Sequence, residues 1–136
     1  GDVHAMLPFA NDAATCTVTG KQVWAIAEHG LGALPEPKGS FPQISGFKIT
    51  FDSSAAPGSR VKSIELENGT PIASNATTYS LATVDFLYLG GDGYTMLVGT
   101  TGAIREKMTD ALAEHIKAAG TITPQVKGRL VDEAVK

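Results

Sequence analysis

Hydrophobic and polar positions alternate from Ala14 to Val18, with Ala14, Cys16 and Val18 on one side and Thr15 and Thr17 on the other. A two-residue period belongs to a strand with one buried face, so a first strand is predicted here. The period then lengthens. Val23, Ile26, Ala27 and Leu31 recur at helical spacing after Thr19-Gly20-Lys21-Gln22, a capping box in which Thr19 and Gln22 satisfy free N–H groups at a helix start. A helix is predicted from about Gly20 to Leu31, with Gly30, Gly32 and Pro35 supplying the stop. Strands return in the middle of the chain. Phe47, Ile49 and Phe51 alternate with Lys48 and Thr50, and Ile64 and Leu66 alternate with Glu65 and Glu67. The Pro57-Gly58 turn between the two runs makes them a hairpin-like pair. Asn68-Gly69, a strong turn dipeptide, leads through Pro71 into another alternating run from Thr78 to Val84. A second long helix is predicted beyond Gly90-Gly91-Asp92-Gly93, on the stripe Ile104, Met108, Ala111, Leu112, Ile116 and Ala119, with Gly120 as its left-handed C-cap. A final short strand over Gln125 to Val131, or a frayed tail, is predicted after it. Strands with two main helices and no regular βαβ alternation predict an α+β single domain, built on a mixed sheet of about five or more strands.

Composition narrows the classes of function. At 136 residues and 43% hydrophobic content, one core forms without disulfides or a structural metal. The single cysteine, Cys16, falls on the apolar face of the first strand and reads as a small buried hydrophobe. Eleven Lys and Arg are scattered among 14 Asp and Glu, for a net charge of −3, and give no basic face for a nucleic-acid polymer. No stretch approaches the roughly 18–20 uncharged apolar residues of a membrane span. The three histidines, His4, His29 and His115, stand far apart in no ligand spacing, so no metal site is expected within this chain. Nucleophile-elbow, phosphate-loop and dinucleotide fingerprints are absent from the sequence.

One loop stands out chemically. Gly90-Gly91-Asp92-Gly93-Tyr94 sets a carboxylate among glycines, where backbone can approach a ligand and two acceptor oxygens suit the vicinal hydroxyls of a ribose. The same pattern fits an ordinary tight turn in which Asp92 caps the following segment. Phe9, after Leu7-Pro8, and Phe86, at the end of its strand just before the glycine loop, offer two rings from separate connections that can sandwich a planar base. Either ring alone also fits core packing.

Read together and in order, these residues resemble a known family. Leu7-Pro8-Phe9-Ala10-Asn11 within the opening Gly1 to Asn11, Val18-Thr19-Gly20, Glu28-His29-Gly30, Gln43-Ile44-Ser45-Gly46-Phe47, Pro57-Gly58-Ser59-Arg60-Val61, and Asp85-Phe86-Leu87 followed by Gly90-Gly91-Asp92-Gly93-Tyr94 are similar to the C-terminal domain of 5'-nucleotidases, over nearly the whole chain. The family also takes in UDP-sugar hydrolases and 2',3'-cyclic phosphodiesterases. The resemblance implies a two-domain, metal-dependent phosphohydrolase that releases phosphate from nucleoside 5'-phosphates, and that is secreted, periplasmic or at the cell surface. It implies that residues 1–136 lack the start of the C-terminal domain and the whole N-terminal metallophosphatase domain, that two divalent metal ions belong to that absent partner domain, and that this chain binds the nucleotide or nucleoside. By motif, Phe9 and Phe86 are the rings around the base, Asp92 accepts from the ribose hydroxyls, and Gly90 and Gly91 shape the loop. Asp85 and Leu89 depart from the asparagines common at those positions and bear on base preference and ribose contacts. Asn68-Gly69-Thr70 and Asn75-Ala76-Thr77 are glycosylation acceptor sequences that accord with export. The other reading of the same features is a noncatalytic secreted or cell-surface interaction module that keeps the fold.

Overall fold

The structure, a computed structural model, describes residues 2–135. A short helix α1 (Asp2–Met6) precedes β1 (Asp12–Thr19), which runs directly into α2 (Gly20–Leu31). Then come β2 (Phe47–Phe51), β3 (Val61–Leu66) and β4 (Thr78–Val84), a single-turn helix α3 (Asp85–Tyr88), β5 (Gly102–Lys107), α4 (Met108–Ala119) and β6 (Leu130–Asp132). Two 3₁₀ turns, Gly91–Gly93 and Thr95–Leu97, lie between α3 and β5.

The α+β class is as predicted, but the strands divide into two three-stranded sheets where one mixed sheet was expected. In the first, β1 is central and antiparallel to β4 and β5. In the second, β2 is central, antiparallel to β3 and parallel to β6. Both edges of β1 are therefore occupied, and α2 with the connection after it carries the chain away before β2 begins. The alternation along each strand sets which side is buried and is silent about which strands pair.

α2 begins where the capping box places it, with the Thr19 hydroxyl accepting from the Gln22 N–H and the Gln22 side chain accepting from the Thr19 N–H. Its buried face, Val23, Ala27 and Leu31, joins one cluster with Cys16 and Val18 of the first sheet and Ile49, Phe51, Val61 and Ile64 of the second. Fully burying a side chain such as Leu31 is worth about 1.5–3 kcal/mol, so this helix welds the two sheets. Cys16 is buried, as its strand face predicts.

The second long helix starts later than its stripe implied. Ile104 belongs to β5 and is exposed, and α4 spans Met108–Ala119, with Met108, Ala111, Leu112 and Ile116 half-buried and Ala119 exposed. β5 is an edge strand with little burial on either side, so it carries no two-residue hydrophobic period to read. Its signature is Gly102, where an added Cβ would sit 2.2 Å from the Thr15 carbonyl oxygen. α1 lacks any buried residue and was equally silent in the sequence.

The C-terminal end of α2 is tied to β3 by a buried cation. Arg60, 5% exposed, donates from Nε to the Ala55 carbonyl at 2.9 Å and from its two terminal nitrogens to the carbonyls of Leu31 and Leu34. Glu28, one turn back on α2, accepts from the backbone N–H groups of Arg60 at 3.1 Å and Val61 at 2.8 Å. Helix-end carbonyls have no partner within the helix, so a guanidinium fork there both satisfies acceptors and meets the negative end of the dipole. Arg60→Met leaves the Ala55 and Leu34 carbonyls without a partner and the Leu31 carbonyl with the Leu34 N–H alone. It is expected to lower stability by about 3 kcal/mol, from the cost of unpaired buried acceptors, seen as a lower urea midpoint at an unchanged slope. A midpoint within a few tenths molar of wild type would refute this role.

Candidate functional site

Phe9 and Phe86 stand outside the core. Phe9 is 78% exposed and Phe86 is 51% exposed, so core packing does not account for either ring. Phe86 sits within α3 and not at a strand end, because β4 stops at Val84 and the Asp85 carboxylate accepts from the Phe86 N–H at 2.8 Å as the chain turns. The same carboxylate oxygen accepts from the Asn11 side-chain amide at 3.0 Å, and the Asn11 carbonyl accepts from the N–H of Met108 at 3.1 Å. Asn11 follows Phe9 by two residues and Asp85 precedes Phe86 by one. One hydrogen bond thus fastens the two ring-bearing segments together. The Asn11 amide, the largest influence, and the Phe86 N–H hold the Asp85 carboxyl below its ordinary range. Beside Phe9 lies a depression of about 180 Å³ lined by Met6, Leu7, Pro8, Asn11, Val84 and Met108.

The glycine loop begins as α3 ends. Gly90 has φ 94°, Asp92 has φ 52° and Gly93 has φ 80°, and Asp92 is the one non-glycine residue with positive φ among those described. Aspartate tolerates this region better than most residues because its short polar side chain does not crowd the backbone. A Cβ added at Gly91 would lie 2.5–2.6 Å from three atoms of the Phe86 ring. The ring therefore lies against the backbone of Gly91, next in sequence to Asp92, whose side chain is exposed. Neither 3₁₀ turn carries a side-chain cap, so the capping reading of Asp92 has no bond behind it.

Behind the loop stands α2. His29 Nε2 lies 2.7 Å from the Asp92 carbonyl oxygen, and its ring meets Tyr94 edge-on at 4.6 Å between centroids. Tyr94 is buried and donates its hydroxyl hydrogen to the Ser40 carbonyl. Burial, with a smaller contribution from the negative charge of Asp92, raises the Tyr94 pKa above its ordinary value, which keeps it a neutral donor. Asn11, His29 and Tyr94 carried no assigned role in the sequence, and Asp85 only a bearing on base preference and ribose contacts, although each stands inside or beside one of the ordered motifs. Side-chain hydrogen bonds between distant segments leave no local periodicity.

Elsewhere, an apolar cleft of about 790 Å³ runs between residues 39–47 and β4, and none of Phe9, Phe86, Gly90, Gly91 or Asp92 lines it. Among the described residues there is no group of three or more His, Cys, Asp and Glu side chains placed to hold a metal ion. No helix among the described residues is long and apolar enough to cross a membrane.

Comparison with known proteins bears on this arrangement. A family model described as "5'-nucleotidase, C-terminal domain" matches residues 1–99. The trifunctional nucleotide phosphoesterase protein YfkN of Bacillus subtilis is 34% identical over 96% of this chain, which corresponds to 9% of that protein. The snake venom 5'-nucleotidase of Crotalus adamanteus is 32% identical over 98% of the chain and 24% of its own length. The crystal structure of a 5'-nucleotidase precursor from Thermus thermophilus superposes with a TM-score of 0.89 at 29% identity, covering 97% of this chain and 27% of that one. The chain thus spans about a quarter or less of each of these three relatives. With two exposed rings, a glycine-flanked aspartate and this match over most of its length, the chain belongs to the 5'-nucleotidase C-terminal domain family.

Proposed function

We propose that this chain is the nucleoside-binding domain of a metal-dependent phosphohydrolase acting on nucleoside 5'-phosphates. The observation that carries the reading is the setting of Phe86: an exposed ring lying on Gly91, beside Asp92, and hydrogen-bonded through its neighbour Asp85 to the segment that bears Phe9. Exposed aromatic rings gain nothing for the fold, whereas two rings on adjoining segments can take a purine between their faces. The aspartate beside Phe86 offers two acceptor oxygens to a ribose diol. Gly90 and Gly91 act by allowing the loop to turn and the ring to approach.

The hydrolytic chemistry lies outside residues 1–136 in this reading. The ligand set for divalent metals does not fit the side chains described, and relatives about four times longer leave room for a separate metallophosphatase domain. That domain is the partner this one works with, and its two metal ions would activate water and hold the phosphate. Export to the periplasm, the cell surface or the exterior is supported by the venom enzyme and the precursor among the relatives. Adenosine monophosphate is expected to bind this chain without being cleaved, and metal-dependent phosphate release by the chain alone would place the chemistry here instead.

Phe86→Ala is expected to weaken adenosine binding by about 5- to 100-fold, the scale of one base–aromatic stack, measured by titration calorimetry. Asp92→Asn keeps a residue that tolerates positive φ and removes the charge, and is expected to cost about tenfold or more through a lost charge-assisted hydrogen bond. Unchanged affinity in both variants would favour the noncatalytic interaction module. Asn11→Ala tests how the rings are mounted. Because the Asp85 carboxyl is depressed in the folded protein, its contribution to stability is present above about pH 4 and fades as pH falls through the folded pKa. Removal of the Asn11 amide should raise the Asp85 pKa and flatten the acid limb of the stability profile, read by carbon NMR of the carboxyl. A titration curve identical to wild type would exclude the link.

A further inference from the structure

Asp92 has to aim its carboxylate from a backbone conformation that residues with a Cβ rarely adopt. Something outside the loop must fix it. The imidazole of His29 makes two separate contacts there. Its Nε2 lies 2.7 Å from the Asp92 carbonyl oxygen, and since a carbonyl only accepts, Nε2 carries the proton and donates. The same ring lies over Gly93, where an added Cβ would meet Cε1 at 2.7 Å and Nε2 at 3.0 Å. The peptide group joining Asp92 to Gly93 is thus held by a donor and covered by a ring at once. The ring in turn is set against Tyr94, with an interplanar angle of 79°, and Tyr94 is buried and tied to Ser40. His29 itself stands on α2, whose neighbouring Glu28 is bound to the start of β3. The support behind Asp92 is therefore a helix locked to the core, not another loop.

We propose that His29 is a positioning residue for hydroxyl selectivity: by fixing the Asp92 carbonyl it sets the direction of the Asp92 carboxylate, and with it the preference for a ligand bearing a vicinal diol. The inference rests on the reading of Asp92 as the diol acceptor. Two oxygens must meet two hydroxyls together, so a loop free to rotate about the 92–93 peptide loses the diol contacts and keeps the stacking of the base. A merely structural role for His29 would weaken all ligands alike.

Calorimetric titration of the full chain with adenosine and with 2',3'-dideoxyadenosine separates these effects. The wild type is expected to prefer adenosine by about tenfold or more, the scale of hydrogen bonds to a charged group. His29→Phe keeps a ring over Gly93 and removes the donor, and should cut that ratio at least about threefold while dideoxyadenosine binds as before. His29→Gln loses the ring, and its amide N–H reaches the place of Nε2–H, so it should hold the ratio within about twofold. A wild-type ratio in His29→Phe, or an equal loss in both variants, overturns the role of His29. Absence of any preference in the wild type, with Asp92→Asn no different, instead removes the reading of Asp92. Should His29→Phe not fold, nitrogen NMR of the wild-type imidazole decides. The Nε2–H resonance of His29 must move with adenosine and stay with dideoxyadenosine, and equal movement with both overturns the proposal.

Discussion

The junction between Glu28 on α2 and the Arg60-Val61 backbone at the head of β3 is the constraint on which the rest of this domain hangs. It is reciprocal. The α2 carboxylate accepts from the N–H groups of Arg60 and Val61, and the Arg60 guanidinium donates to two carbonyls from the end of α2 and the connection after it, and to that of Ala55. A buried guanidinium would be costly if it lacked partners, and here its partners, like those of the half-buried Glu28 carboxylate, are main-chain groups at fixed positions. That geometry sets both the height and the rotation of α2 against the second sheet, more tightly than apolar contact alone, which slides.

The next two residues of α2 extend this control. His29 reaches the glycine loop, and Gly30 packs where a Cβ would come within 2.9 Å of the Tyr94 hydroxyl and 2.7 Å of Pro42. Three successive residues thus contact three different parts of the chain: β3, the loop of Asp92, and the 40–42 segment with Tyr94. On a helix, successive side chains project about 100° apart, so such a triplet serves three neighbours only when the helix is surrounded by structure. The motif Glu28-His29-Gly30 is a point of assembly and lacks any ligand-facing chemistry of its own.

Much of the fold could be read in the chain before any coordinates. The bounds of α2, β2 and β4 follow from the Thr19–Gln22 box and from alternations that end where turn residues begin. What could not be read has a common cause. β5 and α1 bury little, so selection on hydrophobic pattern leaves no trace in Ile104 or Met6. The split into two sheets depends on which edges of β1 are already taken, a fact about pairs of strands that no single stretch contains. For the candidate site, Phe9, Phe86 and Asp92 could be singled out as types of residue in telling places. Their supports, Asn11 with Asp85 and His29 with Tyr94, could not, because a contact between residues 63–74 positions apart has no signature in either neighbourhood.

The second sheet is closed by β6, a three-residue strand that pairs in parallel with β2 from about eighty residues further along. On the ribosome this makes the order of events matter. β2 and β3 can pair as soon as both have emerged, while the opposite edge of β2 waits, with its N–H and carbonyl groups unmatched, for a segment made about eighty residues later. An open strand edge is a template for whatever extended chain comes near. The nascent domain therefore passes through a window in which the core is largely assembled and one sheet edge is still adhesive, and the brevity of β2 keeps that window from becoming a hazard.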